Sequence, residues 1–146
     1  MATDQETPDG YAYGRALTGF GVNLLVSDIK RMTDFLSGVF GLTTAYSDRE
    51  FAIIRHSNHE FMLHHDSTYG NNPMLTITGD VAIRGAGVEL RLYGCDPDQA
   101  CERASKSGHD ILQPAADKLH GLREAYIAGP DQYIWVPGIA LPAADS

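Results

Sequence analysis

The stretches GVNLLVSD at 21–28 and GVELRLYGCD at 87–96 decide the fold class, because each opens with Gly-Val and then alternates apolar residues. Their first glycines are 66 residues apart, close to half of the 146-residue chain. Alternation of apolar with other residues is typical of a strand that buries one face. The pair therefore indicates an internal duplication in which each half of the chain begins with a strand.

The residues that follow the first stretch predict one helix and three strands. Apolar residues recur at helical spacing from 29 to 40, after Ser27 or Asp28, either of which can cap the helix. Gly41 stands where a helix-ending glycine belongs. The strands are predicted at 42–47, 51–56 and 60–65.

The second half repeats this order. Asp96 can cap a helix that has Pro97 at its first position, and Gly108 ends it. Strands are predicted at 110–114, 122–129 and 132–137. The fold class is therefore α+β, with two tandem βαβββ modules whose curled mixed sheets form a cleft.

The repeat also sets the domain boundaries. We expect a flexible N-terminal tail at 1–17 and a single domain at 18–137, followed by a C-terminal tail at 138–146. Within the domain, module 1 covers 18–65, a connector covers 66–86 and module 2 covers 87–137. The connector contains MLTITGDVAI, which could form an added edge strand or a flap over the cleft.

Composition excludes several classes of partner. The net charge of −8 and pI of about 5.0 argue against nucleic acid and favour neutral or cationic ligands. No signal-peptide pattern and no membrane-spanning run is evident, so a cytoplasmic protein without membrane association is expected. Cys95 and Cys101 are expected to be free thiols.

Three longer segments carry a family resemblance. They are VNLLVSDIKRMTDFLSGVFGL, RGAGVELRLYGCDPDQACERASKSGHDILQP and HGLREAYIAGPDQYIWV. In this order they resemble the vicinal oxygen chelate superfamily, which includes glyoxalase I, extradiol dioxygenases, and bleomycin- and fosfomycin-resistance proteins; Phe40 stands where leucine is usual. The resemblance implies the glyoxalase/bleomycin-resistance fold. It also implies a homodimer, with the cleft built within one chain or across two.

The same resemblance implies four metal-ligand positions, which fall on Gly21, Gly87, His64 and Val136. Only His64 can bind a metal. A two-residue shift along the first strands would bring in Asn23 and Glu89, a poor set of ligands. We therefore expect no metal and no cofactor.

Strand alternation predicts which side chains face the cleft. If Val22, Leu24, Val26, Val88, Leu90 and Leu92 pack under the helices, the intervening side chains face away from them. The predicted ligand-binding set is Asn23, Met62, His64, Glu89, Arg91, Tyr93 and Ile134. Glu89 and Arg91 could form a salt bridge or clamp a ligand. His64 and His65 point to opposite faces, and His56 and His59 are expected to be exposed beside a turn.

These observations favour a binding protein that holds a small, partly aromatic molecule in its cleft without metal, for sequestration or resistance. The rival is an enzyme of the same superfamily. It would be a divalent-metal lyase, isomerase or dioxygenase, or a metal-free enzyme with His64 or Glu89 as base, so enzymatic activity is left open. A third possibility is a module whose cleft is filled by its own side chains. The homodimer is expected to cover apolar connector residues such as Met74, Leu75 and Ile77.

Overall fold

The computed structural model describes residues 9–143, which contain four α-helices and eight strands. The helices are α1 (Gly10–Ala16), α2 (Ile29–Phe40), α3 (Pro73–Thr78) and α4 (Pro97–Lys106). The strands are β1 (Asn23–Val26), β2 (Thr43–Ser47), β3 (Phe51–His56), β4 (His59–His65), β5 (Glu89–Tyr93), β6 (Asp110–Asp117), β7 (Leu122–Ala128) and β8 (Ile134–Ala140). Two short 3₁₀ turns cover Asp66–Tyr69 and Pro130–Gln132.

The strands form two four-stranded mixed sheets of the same topology. The first has the order β1-β4-β3-β2 and the second has the order β5-β8-β7-β6. In each sheet the first and last strands of the module pair in parallel, and the other pairs are antiparallel. The predicted pair of βαβββ modules is therefore confirmed. The spacing of 66 residues holds for the first strands, which begin at Asn23 and Glu89.

Both long helices begin as their capping residues require. Asp28, rather than Ser27, caps α2 by accepting a hydrogen bond from the backbone N–H of Arg31 at 3.0 Å. Gly41 ends α2 in the left-handed conformation, with a φ of 72°. Asp96 caps α4, whose first residue is Pro97, where a missing backbone N–H costs nothing.

One apolar core lies between the two modules. The helix-facing side chains of both sheets, together with the buried sides of α2 and α4, form it: Leu24, Val26, Ile29, Met32, Phe35, Leu36, Val39, Phe40, Leu42, Ala52, Ile54, Leu63, Leu92, Cys95, Ala100, Ala104, Ile127, Tyr133 and Trp135. Phe35 and Phe40 of α2 lie 6.4 and 6.1 Å from the ring of Trp135 on β8. Phe61 of β4 lies 5.8 Å from the same ring. Each sheet thus contributes its apolar face to one core that both modules share.

Four details differ from the sequence prediction. Residues 10–16, placed in the N-terminal tail, form α1, because the Asp9 carboxylate caps it. The edge strand considered at 74–83 is instead α3 followed by a loop, since Asn72 caps a helix with Pro73 first. Val88 precedes β5 and is 56% exposed, so it does not pack under a helix. Strand β8 continues to Ala140, past the predicted domain end at 137. The remaining tail residues, 1–8 and 144–146, lie outside the described part of the chain.

Both cysteines are free, as predicted. Cys95 is buried, and burial raises the pKa of its thiol to about 11, which leaves it unreactive at neutral pH. Among residues 9–143, no helix combines the length and the apolar character needed to cross a membrane.

Candidate ligand-binding faces

The first face is the side of the first sheet that points away from the helices. Strand register places Asn23 beside Met62, and Leu25 beside His64. Met62 and His64 in turn lie beside Ile53 and Phe51 of β3. The predicted set Asn23, Met62 and His64 therefore shares one face, as the alternation requires.

Aromatic rings run across this first face. The His64 ring lies 4.9 Å from Phe51 on one side and 5.7 Å from Tyr69 on the other. Tyr13 of α1 lies 6.5 Å from Phe51, and Tyr46 of β2 lies 6.1 Å from it. Such distances are those of paired aromatic side chains. The first face therefore carries a continuous row of rings, which we call the aromatic row: Tyr13, Tyr46, Phe51, His64 and Tyr69.

A chain of hydrogen bonds fixes the polar groups of this row. The Nδ1 atom of His64 lies 2.5 Å from the Asn23 side-chain oxygen. The Asn23 side-chain nitrogen donates to the hydroxyl of Tyr69. Burial lowers the pKa of His64, since the charged imidazolium loses hydration. The imidazole is thus neutral at neutral pH.

A partly buried ion pair anchors the connector segment that contains Tyr69. The side chain of Arg84 is 4% exposed and donates two hydrogen bonds to the Asp66 carboxylate, at 2.7 and 2.8 Å. It also donates to the backbone carbonyl of Leu25 at 3.3 Å. These hydrogen bonds lower the pKa of Asp66. Asp66 and Arg84 stand at the two ends of the connector, so the pair closes the connector onto β1 and positions the 3₁₀ turn that carries Tyr69.

The second face is the corresponding side of the second sheet. Glu89 lies beside Ile134, and Arg91 lies beside Val136. Tyr93 follows on the same side and is 60% exposed. The predicted residues Glu89, Arg91, Tyr93 and Ile134 therefore also share one face.

Arg91 is the centre of a polar network on this second face. Its guanidinium donates to the carboxylate of Glu124, and to Glu89 at 3.4 Å. Its Nε atom donates to the Tyr93 hydroxyl at 3.1 Å. Tyr126 is hydrogen-bonded to Glu89, and this bond raises the pKa of the Tyr126 hydroxyl. Glu89 and Arg91 form a salt bridge, and their role as a clamp on a ligand stays a prediction.

Glu124 was not singled out in the sequence, although it is the most buried charged residue of this network. Only 1% of Glu124 is exposed, and His120 lies 3.3 Å from its second oxygen. Strand alternation could have found it, because Ile127 of the same strand lies in the core and Glu124 is an odd number of residues away. No comparable pattern in the sequence points to Tyr69, which lies in the connector.

Residues of the two faces line different cavities. A cavity of about 280 Å³ at the seam between the modules includes Glu89 and Arg91, together with Phe61 and Trp135. A separate cavity of about 640 Å³ beside α1 includes Met62. Neither cavity includes His64. These two cavities do not bring His64 together with Glu89, Arg91 and Tyr93, and a pocket shared by these four residues stays a prediction.

The remaining histidines have structural partners or are exposed. Nε2 of His56 lies 2.8 Å from the backbone oxygen of Tyr93, which ties the β3–β4 turn to the second module. His65 points away from the first face, and its ring nitrogens contact Ser67 and the backbone oxygen of Ser27. His59 is exposed, as expected.

The four metal-ligand positions do not fit a metal centre. Gly21 and Gly87 lie outside the strands and have no side chain, and Val136 is buried and has no donor atom. His64 is hydrogen-bonded to Asn23 rather than grouped with carboxylates. Among residues 9–143, no group of three or more His, Cys, Asp or Glu side chains could hold a metal ion.

Comparison with known proteins gives fold relatives only. No protein-family model matches the chain, and no curated protein matches it. Among solved structures, a glyoxalase-related enzyme from Fulvimarina pelagi has a TM-score of 0.65 and 18% identity, over 84% of this chain and 88% of that chain. A glyoxalase/bleomycin resistance protein/dioxygenase family enzyme from Burkholderia phytofirmans PsJN has a TM-score of 0.66 and 15% identity, over 82% of this chain and 96% of that chain.

The fosfomycin resistance protein FosX from Mesorhizobium loti is a third relative, with a TM-score of 0.60 and 18% identity over 86% of this chain and 93% of that chain. Together with the two mixed sheets of the same topology, these likenesses confirm the resemblance at the level of the fold. The chain has the α+β fold of the glyoxalase, bleomycin-resistance and dioxygenase proteins of the vicinal oxygen chelate superfamily.

Proposed function

We propose that this protein binds a small, partly aromatic molecule, neutral or cationic, without a metal, and that it acts by sequestration or resistance. The observation that carries the proposal is the aromatic row on the first face. A flat ring can stack upon Phe51, His64 and Tyr69. The neutral His64 does not repel a cation, since burial lowers its pKa.

The charge of the second face supports a preference for neutral or cationic ligands. Glu89 and Glu124 stand there against a single Arg91, whose guanidinium is already bonded to both carboxylates and to Tyr93. The side chain of Glu89 is 45% exposed and can reach a ligand. A cationic group would gain from this surplus of negative charge, whereas an anion would be repelled.

We propose further that the cleft is completed by a second copy of the chain. Each chain offers two half-sites on separate sheets, one with His64 and one with Glu89. In a dimer with two-fold symmetry, the first face of one chain can meet the second face of its partner, and the converse contact forms at the same time. The apolar side chains of Ile77 and Met74 on the connector, both exposed, would be covered in such a homodimer.

A thermal-shift screen of aromatic antibiotics tests the binding proposal. A ligand at 100 times its Kd stabilises the folded protein by about 2.7 kcal/mol, which is measurable as a rise in Tm. Tyr69→Ala and Phe51→Leu should abolish the rise, because each removes one ring beside His64. Leu119→Ala is the matched control, since it removes a fully exposed apolar side chain outside both faces. Equal shifts in the Tyr69 variant and the control would refute binding at the aromatic row.

The second candidate is an enzyme of the same fold, and the neutral imidazole of His64 on the first face is the observation that favours it. In this alternative, His64 or Glu89 acts as a base on the bound molecule, or a divalent metal supports lyase, isomerase or dioxygenase chemistry. Metal analysis of the purified protein separates the metal-dependent form from the binding protein. A stoichiometric, tightly held divalent ion would refute metal-independent binding.

A further inference from the structure

The hydrogen bonds around His64 determine which of its ring nitrogens carries a proton. The side-chain nitrogen of Asn23 donates to Tyr69, so its side-chain oxygen is the atom that faces His64. An amide oxygen only accepts hydrogen bonds. With this orientation of the Asn23 amide, the protonated nitrogen of His64 is Nδ1, which lies 2.5 Å from that oxygen.

The other nitrogen of His64 is consequently left with its lone pair. In a neutral imidazole only one nitrogen is protonated, so Nε2 is a hydrogen-bond acceptor. Among residues 9–143, no hydrogen bond to this Nε2 is present, whereas both nitrogens of His65 have partners. The free acceptor lies in the aromatic row, between the rings of Phe51 and Tyr69.

The neighbouring His65 provides an internal contrast. Its Nδ1 accepts a hydrogen bond from the backbone N–H of Ser67 at 3.1 Å, so that atom is unprotonated. Its Nε2 lies 3.1 Å from the backbone oxygen of Ser27 and must donate. Adjacent residues on one strand therefore carry opposite tautomers, and only that of His64 leaves a lone pair without a partner.

We propose that the Nε2 atom of His64 selects the ligand, which presents an O–H or N–H donor on an aromatic ring. This inference rests on the proposed binding at the aromatic row and specifies the class of ligand. An aromatic molecule of the same shape that lacks the donor would stack on the row and leave Nε2 without a partner. The donor should improve affinity about five-fold, the typical net value of one neutral hydrogen bond.

Nitrogen-15 NMR of the histidine rings tests the first step. The protein contains six histidines, and the His64 signals are assigned by their loss in His64→Phe. We expect the protonated pattern at Nδ1 for His64 and at Nε2 for His65. Unchanged signals from His65 in the variant show that it is folded. A proton on Nε2 of His64 would overturn the proposal.

Titration with phenol and with anisole tests the second step. The two probes share a ring, but anisole has a methyl group in place of the donated proton. We expect phenol to bind about five-fold more tightly and to shift the His64 Nε2 signal most, with the preference lost in His64→Phe. Equal binding of both probes would overturn the donor requirement and leave aromatic binding standing. If neither probe perturbs His64, both this inference and the proposed function are refuted.

Discussion

Replacing Arg91 by Met should reveal the cost of the buried carboxylate beneath the second face. Glu124 on β7 is 1% exposed, and its charged partner Arg91 lies on β5 of the same sheet. Breaking a fully buried ion pair by removing one partner costs about 3–5 kcal/mol, because a charge is left buried without compensation. Here the guanidinium is partly exposed and His120 lies 3.3 Å from Glu124. We therefore expect a loss of about 2–3 kcal/mol in the free energy of unfolding.

Arg123→Met is the matched control for this change. Arg123 also contacts two carboxylates, Asp98 at 2.7 Å and Asp117 at 2.9 Å, but both of these side chains are more than half exposed. Exposed pairs contribute only about 0–1 kcal/mol each, so this variant should lose much less stability. Its partners can be hydrated once the arginine is gone.

Urea unfolding at one protein concentration measures the free energy of unfolding of wild type and of three variants. These are Arg91→Met, Arg123→Met and the double variant in which Glu124→Met accompanies Arg91→Met. The double variant should regain most of the stability lost by Arg91→Met, since no charge remains buried. Equal losses for the two single variants, or no recovery in the double variant, would refute the view that Arg91 neutralises Glu124.

Three further outcomes follow from other contacts. The loss of stability as pH falls below about 6.5 should be smaller in His64→Phe than in wild type, as measured by urea unfolding at several pH values. Because the pKa of His64 is lower in the folded chain, the unfolded chain binds more protons at this residue in that pH range. The stability that neutral His64 contributes is therefore present at higher pH and lost on acidification. Gly129→Ala should lower the free energy of unfolding by about 1–3 kcal/mol, because the new methyl group would lie 2.6 Å from the Phe35 ring. The control Gly38→Ala adds a methyl group in open space and should not destabilise the fold. Equal effects of the two variants on Tm would contradict the packing argument. Arg84→Met should speed hydrogen exchange in the connector at 66–79, since the ion pair with Asp66 is lost; unchanged exchange rates would show that this pair does not hold the connector.

The fold could be predicted because its determinants are local. Alternation placed the strands, and the capping residues Asp28 and Asp96 with Gly41 marked where helices begin and end. The connector was harder, because threonine and isoleucine at 76–78 favour a strand while Asn72 and Pro73 favour a helix start, and the cap prevailed. The first helix, with two glycines in seven residues, has a composition that predicts no helix.

The site could be predicted only in part, for a related reason. The period of two residues assigned His64 and Glu89 to the correct sides of their strands. It carried no information about which distant residues would approach them. Tyr69 contacts Asn23 across 46 positions and Glu124 contacts Arg91 across 33, and these approaches are set by strand pairing and connector geometry. Alternation likewise carries no information about how the two faces are arranged, because that arrangement depends on how the modules pack.

Mixing two damaged chains tests most directly whether the ligand cleft is shared between two copies. His64→Ala damages every first face and Tyr93→Ala damages every second face, so each variant alone should fail to bind the aromatic ligand identified by thermal shift. After the two variants are unfolded together and refolded in equal amounts, the mixed dimers should each contain one intact cleft. Binding stoichiometry measured by titration calorimetry should then return to about a quarter of the wild-type value, as random pairing of two-fold dimers requires. No recovery on mixing would contradict a cleft built across two chains.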